Sequence, residues 1–172
     1  MSNYNAELLK FLDESPSRFH AIANLGKMLD EAGYKRISES HEWALEEGGK
    51  YYVTKNGSAI IAFRIPTIPF KGFMMSASHS DSPSFHIKVN AEMLNSDGYV
   101  RINTEKYGGM ILSSWLDRPL SLAGRVLLRT TNPLKPEVRR LKIERPLLII
   151  PHIAIHFNRQ VNEGNPLSKQ VD

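Results

Sequence analysis

The residues best suited to chemistry are histidines and carboxylates at short spacing. His79-Ser80-Asp81 sets an imidazole and a carboxylate one residue apart, with Ser82-Pro83 following. At a strand end such a pair can act as a unit, the imidazole binding a metal while the nearby carboxylate fixes the ring. An ordinary turn histidine would have the same spacing. One ligand also does not make a zinc site, which takes about three protein ligands plus water. His152 and His156 lie four apart in Pro151-His152-Ile153-Ala154-Ile155-His156. On a helix that spacing puts both on one face, as in a zinc helix, and Pro151 could occupy its first turn. No Glu follows the first His, so a pair of unrelated histidines is the competing reading. His86 alternates with Lys88 on the polar side of Phe85-His86-Ile87-Lys88-Val89 and reads as structural or exposed. His20, beside an apolar stripe, reads as a surface or packing histidine.

Several chemistries are excluded. The chain has no cysteine, which removes disulfides, thiolate nucleophiles and cysteine-based zinc sites. Any metal is therefore held by His, Asp and Glu. There is no Gly-x-Ser-x-Gly elbow, no phosphate loop and no dinucleotide fingerprint. Gly48-Gly49 and Gly108-Gly109 read as turn glycines. Trp115-Leu116-Asp117-Arg118 combines an aromatic with a candidate Asp–Arg pair, and fits core packing or an interface better than catalysis. The net charge of +4 sits in short bursts such as Arg139-Arg140 and Lys142. No basic stripe interleaved with aromatics is present, so no nucleic-acid partner is expected. The longest apolar runs, such as Pro146 to Pro151, fall far short of the roughly 18–20 residues of a membrane span. The first residues, Met1 to Asn5, lack signal-peptide character. A cytoplasmic protein without a membrane partner is the expectation.

The elements that must position these residues follow from apolar spacing. At 172 residues and 41% hydrophobic content the chain is long enough to bury a core of about one domain. Leu8, Leu9, Phe11 and Leu12 predict a helix over 6–13. Ser15-Pro16-Ser17 ends it and offers Ser17 as the next N-cap, with Phe19, Ile22, Leu25, Met28 and Leu29 on one face and Gly33 as the stop. Tyr51–Thr54 and Ser58–Ile65 flank Asn56-Gly57, a strong hairpin signal. Phe73–Ala77 reads as a strand buried on both faces that delivers His79 and Asp81 at its C-terminal end, where open α/β sheets bind ligands. Beyond about residue 90, Tyr99–Ile102, Gly124–Arg129, Val138–Ile143 and Leu147–Ile150 read as short strands, with a turn at Asn132-Pro133. The texture predicts a mixed α/β part to about residue 91 and a β-rich part over 92–172. From Asn158 the chain turns polar, through Asn162-Glu163-Gly164-Asn165-Pro166.

Taken together, these segments resemble the aspartyl aminopeptidase family of zinc metallopeptidases. Ala77-Ser78-His79-Ser80-Asp81-Ser82-Pro83 is similar to that family's His-Thr-Asp-Ser-Pro segment, and Ser15-Pro16-Ser17-Arg18-Phe19-His20-Ala21 to its Ser-Pro-Ser-Pro-Phe-His-Ala stretch. The likeness continues in order through Tyr107-Gly108-Gly109, Ser114–Arg118, Leu122–Val126, Glu144-Arg145-Pro146, Ile150–His156 and Asn162-Glu163.

The resemblance implies an α/β zinc-peptidase domain interrupted by a β-rich dimerisation domain. Residues 1–91 would belong to the former and 92–172 to the latter, both incomplete. It implies removal of acidic N-terminal residues from peptide substrates, and homo-oligomers built from dimers into dodecamers. His79 matches the first zinc ligand, Asp81 the acidic residue that supports it in the catalytic site, and His156 a catalytic histidine that reaches the neighbouring subunit's site. The implied cofactor is zinc, two divalent ions per complete site, with cobalt or manganese as alternatives. The family's remaining site residues, a bridging Asp, a Glu-Glu pair, a further Asp and a final His, lie in a longer C-terminal part with no counterpart among these residues. The expectation is thus an N-terminal portion of such an enzyme, inactive alone. The alternative is a catalytically inactive oligomerisation or interaction module.

Overall fold

A computed structural model of the chain describes residues 3–94 and 98–163. The polar stretch from Gly164 on and the leading Met1-Ser2 lie outside the described residues. Helix α1 spans Tyr4–Glu14 and α2 spans Arg18–Glu31, both where apolar spacing predicts them. Asn3 caps α1 by accepting from the Ala6 N–H at 3.3 Å. Ser17 holds the extended backbone of an N-cap, but its hydroxyl pairs with His20 Nδ1 at 2.8 Å instead of a backbone N–H. Gly33 stops the second helix at φ +79°, a conformation that a side chain would strain.

The described residues form two compact units. The first takes residues up to Asp81 together with Leu122–Ile143, and the second takes Ser82–Ser121 with the residues from Glu144 on. These units interleave along the chain.

In the first unit, β1 (Lys35–Arg36) runs parallel to β2 (Lys50–Lys55), which pairs antiparallel with β3 (Ala59–Arg64) from Lys50↔Arg64 to Lys55↔Ala59. The expected hairpin turn is present. Asn56 and Gly57 both take positive φ, 52° and 64°, and the Ser58 N–H donates to Lys55 O at 3.0 Å. This mirror-image turn matches the twist of the strands it joins. Tyr51, Tyr52 and Val53 of β2 are buried with Ala21 and Ile22 of α2. The Tyr52 hydroxyl donates to Asp30 Oδ1 at 2.8 Å, tying strand to helix where burial alone would not fix the register. The hairpin of β6 (Ala123–Leu128) and β7 (Glu137–Lys142) completes the unit, with Asn132 accepting from Lys135 and Leu134 N–H groups in the turn before β7.

In the second unit, β4 (Ser84–Leu94) and β5 (Val100–Tyr107) form a long antiparallel ribbon with an irregularity between Ile87 and Glu92. Trp115, in the short 3₁₀ turn Leu112–Trp115, packs edge-on against Phe85 at 5.2 Å.

Among the described residues the α-helices end at Glu31 and the later regular elements are mostly strands, in agreement with the α/β class followed by a β-rich part. Two strand expectations need correction. Residues 73–77 form no strand, and Phe73, Met74 and Met75 are 76%, 104% and 91% exposed. A strand needs a neighbour for its backbone N–H and C=O groups, and among the described residues none runs beside this segment. Leu147–Ile150 forms two isolated bridges, Leu148↔Leu120 and Ile150↔Leu116, and no continuous ladder. No described helix is long and apolar enough to cross a membrane.

Candidate functional site

His79 and Asp81 lie on the irregular segment between β3 and β4, with Asp81 three residues before Ser84 begins the ribbon. The structure brings the two side chains together. His79 Nδ1 is 2.9 Å from the Asp81 carbonyl oxygen and 3.2 Å from Asp81 Oδ1. A carbonyl oxygen only accepts, so His79 Nδ1 must be the donor. The neutral ring then carries its proton on Nδ1 and presents the Nε2 lone pair outward. That is the tautomer a metal ligand needs, fixed by a carboxylate and a carbonyl in the manner of outer-shell partners in zinc sites. The His79 side chain is 83% exposed and that of Asp81 32%, so the ring projects while its anchor stays half-buried. The pair fits one corner of a zinc site. Among the described residues no group of three or more metal-binding side chains converges.

His152 and His156 do not share a helical face. Residues 151–154 are irregular and His156 sits in the turn made when Ala154 O accepts from Phe157 N and Asn158 N, at 2.8 and 3.2 Å. The helix is prevented upstream, where Ile150 is drawn into its bridge with Leu116 and the His152 N–H donates to Asp117 Oδ1 at 2.8 Å. His152 Nδ1 turns to the Ile153 carbonyl, also at 2.8 Å. His156 is exposed on its turn.

The candidate Asp117–Arg118 pair is likewise corrected. Arg118 Nη1 donates to Ser114 O at 3.1 Å, while Asp117 serves the 150–152 segment. Asp117 also holds φ +54°, a left-handed backbone that Asp tolerates better than most residues. Spacing in the sequence carries no signal for this role, because its partner is 35 residues away. His86 stacks on Tyr107, ring centroids 4.5 Å apart, in keeping with a structural reading. The His20 imidazole has its pKa lowered, first by burial and then by the charges of Arg140 and Lys142.

Known proteins share much of this chain's pattern. Residues 11–172 match the family model described as aminopeptidase I zinc metalloprotease (M18). The chain is 48% identical over 168 residues to a probable M18 family aminopeptidase 2 of Clostridium acetobutylicum, covering 96% of this chain and 39% of that protein. Among solved structures, the cryo-EM structure of the Ape4 and Nbr1 complex matches with a TM-score of 0.89 at 36% identity, over 96% of this chain and 32% of that one. The S. cerevisiae mApe1 dodecamer matches with a TM-score of 0.76 at 25% identity, over 90% and 36% of the respective chains. The chain thus spans about a third to two fifths of the length of these relatives.

Proposed function

The chain belongs to the M18 family of aminopeptidase I zinc metalloproteases, and from that premise we propose that its full-length protein removes acidic residues, one at a time, from peptide N-termini. Residues 1–91 contribute to the peptidase domain and 92–172 to a β-rich dimerisation domain. The observation that carries the reading is the His79–Asp81 pair, whose donor at Nδ1 leaves Nε2 directed outward.

His79 would hold one of two metal ions through Nε2, and Asp81 keeps the ring in the tautomer and orientation that this needs. Zinc, when bound, supplies Lewis acidity for peptide hydrolysis. The remaining ligands and the general base come from segments of the full-length protein outside these 172 residues. His156, exposed on its turn, hydrogen-bonds the substrate carbonyl or its developing oxyanion in the neighbouring subunit, a kind of contact worth about 3–4 kcal/mol in comparable sites. The protein acts as a cytoplasmic homo-oligomer assembled from dimers, and the dodecamer of its yeast relative is the supporting case. Family membership favours this enzyme reading over an inactive interaction module.

The test is hydrolysis by the full-length protein of peptides that differ only in an N-terminal Asp, Glu, Leu or Lys. Preferential release of Asp and Glu, lost on chelation and restored by zinc, is expected. Equal release of Leu would overturn the acidic specificity, and activity indifferent to chelators would overturn the metal assignment.

A further inference from the structure

Asp117 makes two contacts with one short segment. Its backbone N–H donates to Ile150 O at 2.9 Å, and its Oδ1 accepts from the His152 N–H at 2.8 Å. The same clasp continues on the other side, where Leu120 N donates to Leu148 O at 2.9 Å, and Leu147 N and Leu148 N both donate to Leu120 O. Residues 147–152 are therefore held against 116–120 largely through backbone groups, and the Asp117 carboxylate is the side chain that joins them. It closes the end nearest His156. The chain leaves the clasp at His152, and two residues later Ala154 begins the turn that carries His156.

Asp117 reaches both partners from a left-handed backbone, at φ +54°. A non-glycine residue enters that region at a cost and stays when surrounding contacts over-determine it. The carboxylate also meets the His152 N–H beyond the end of the bridge, which stops at Ile150. The arrangement fixes where the chain departs toward His156 without touching that side chain.

We propose that Asp117 is a positioning residue for His156: it pins the 150–152 backbone so that the following turn presents the imidazole in a fixed place. This rests on the role given to His156 above. An imidazole that must meet a reacting carbonyl in another subunit cannot wander, because misplacement by about 1 Å can cost roughly 100-fold in rate.

Three substitutions in the full-length enzyme separate the parts. Asp117→Asn keeps an acceptor oxygen and tolerates positive φ. Asp117→Gly keeps the backbone freedom and loses the acceptor. Asp117→Gly combined with His156→Ala tests whether the two act through one another. Hydrogen exchange of the peptide covering residues 150–158 reports the pin directly, and kcat against KM reports its use. Asp117→Gly should speed exchange of that peptide by about tenfold, as the loss of a hydrogen bond implies. It should lower kcat by roughly 10- to 100-fold, with KM within about twofold and bound zinc unchanged, and the double variant should lose no more than His156→Ala alone. Asp117→Asn should restore both readouts to near the parent. Unchanged exchange in Asp117→Gly would overturn the pin itself. Faster exchange with unchanged kcat, while His156→Ala alone is impaired, would overturn the positioning role and leave the His156 reading standing. An unimpaired His156→Ala enzyme would overturn both.

Discussion

Arg125 is bonded to Asn56 across 69 residues of chain, its Nη1 donating to Asn56 O at 2.8 Å and to Asn56 Oδ1 at 2.9 Å. The same guanidinium lies over the Phe19 ring at 4.3 Å from the centroid. One side chain on β6 thus fixes the β2–β3 turn and the start of α2. It is one of the contacts that join Leu122–Ile143 to the residues before Asp81, as is the Lys142 Nζ bond to Asp13 O at 3.0 Å.

Replacing Arg125 by Ala removes two hydrogen bonds and a cation–π contact at a half-buried position. Thermal or urea unfolding should show a loss of about 1–3 kcal/mol. Arg125→Lys should recover only part, because an ammonium cannot both stack on Phe19 and reach two oxygens. An unchanged midpoint in Arg125→Ala would mean that the turn and the helix are held by other contacts.

His20 gives a pH dependence whose sign follows from its environment. Burial and the charges of Arg140 and Lys142 lower its pKa in the folded state. The unfolded chain therefore takes up the proton first, near pH 6.5, and stability contributed by the neutral ring is lost as pH falls from there through the folded value. Melting temperature should fall more steeply between pH 7 and 5 for the parent than for His20→Gln. Parallel curves would contradict this.

His79 and Asp81 should differ in degree. In the full-length protein, His79→Ala removes the proposed ligand, so bound zinc and turnover should both collapse while oligomer size holds. Asp81→Ala removes the carboxylate and keeps the carbonyl that also orients the ring. Its zinc affinity should fall about 10- to 100-fold. Equal zinc content in all three proteins, measured by metal analysis after dialysis, would remove His79 from the site.

Much of the fold is legible in the residue pattern because it is local. Helical spacing, the Ser17 boundary, Gly33 and the Asn56-Gly57 turn depend on neighbours within a few residues, and each is present where expected. The His79–Asp81 contact spans two residues and is legible for the same reason. Phe73–Ala77 fails as a strand because apolar content specifies burial, whereas a strand also needs a partner for its backbone. His152 and His156 lose their shared face because Asp117 and Leu116 pull the preceding chain out of helix. That coupling crosses 35 residues and leaves no mark on the spacing of either segment.

The proposed sharing of one active site between His79 of one subunit and His156 of its neighbour is tested most directly by mixing. Full-length His79→Ala and His156→Ala proteins, each inactive alone, are dissociated, combined in equal amounts and reassembled, with hybrid dimers verified by differential tags. A two-fold dimer pairs each subunit's His79 with the other's His156, so hybrids hold one complete site of two and random reassembly yields about a quarter of wild-type activity. Recovery near that level is the predicted result. No recovery in verified hybrids would contradict the shared site and return His156 to its own subunit or to no catalytic role.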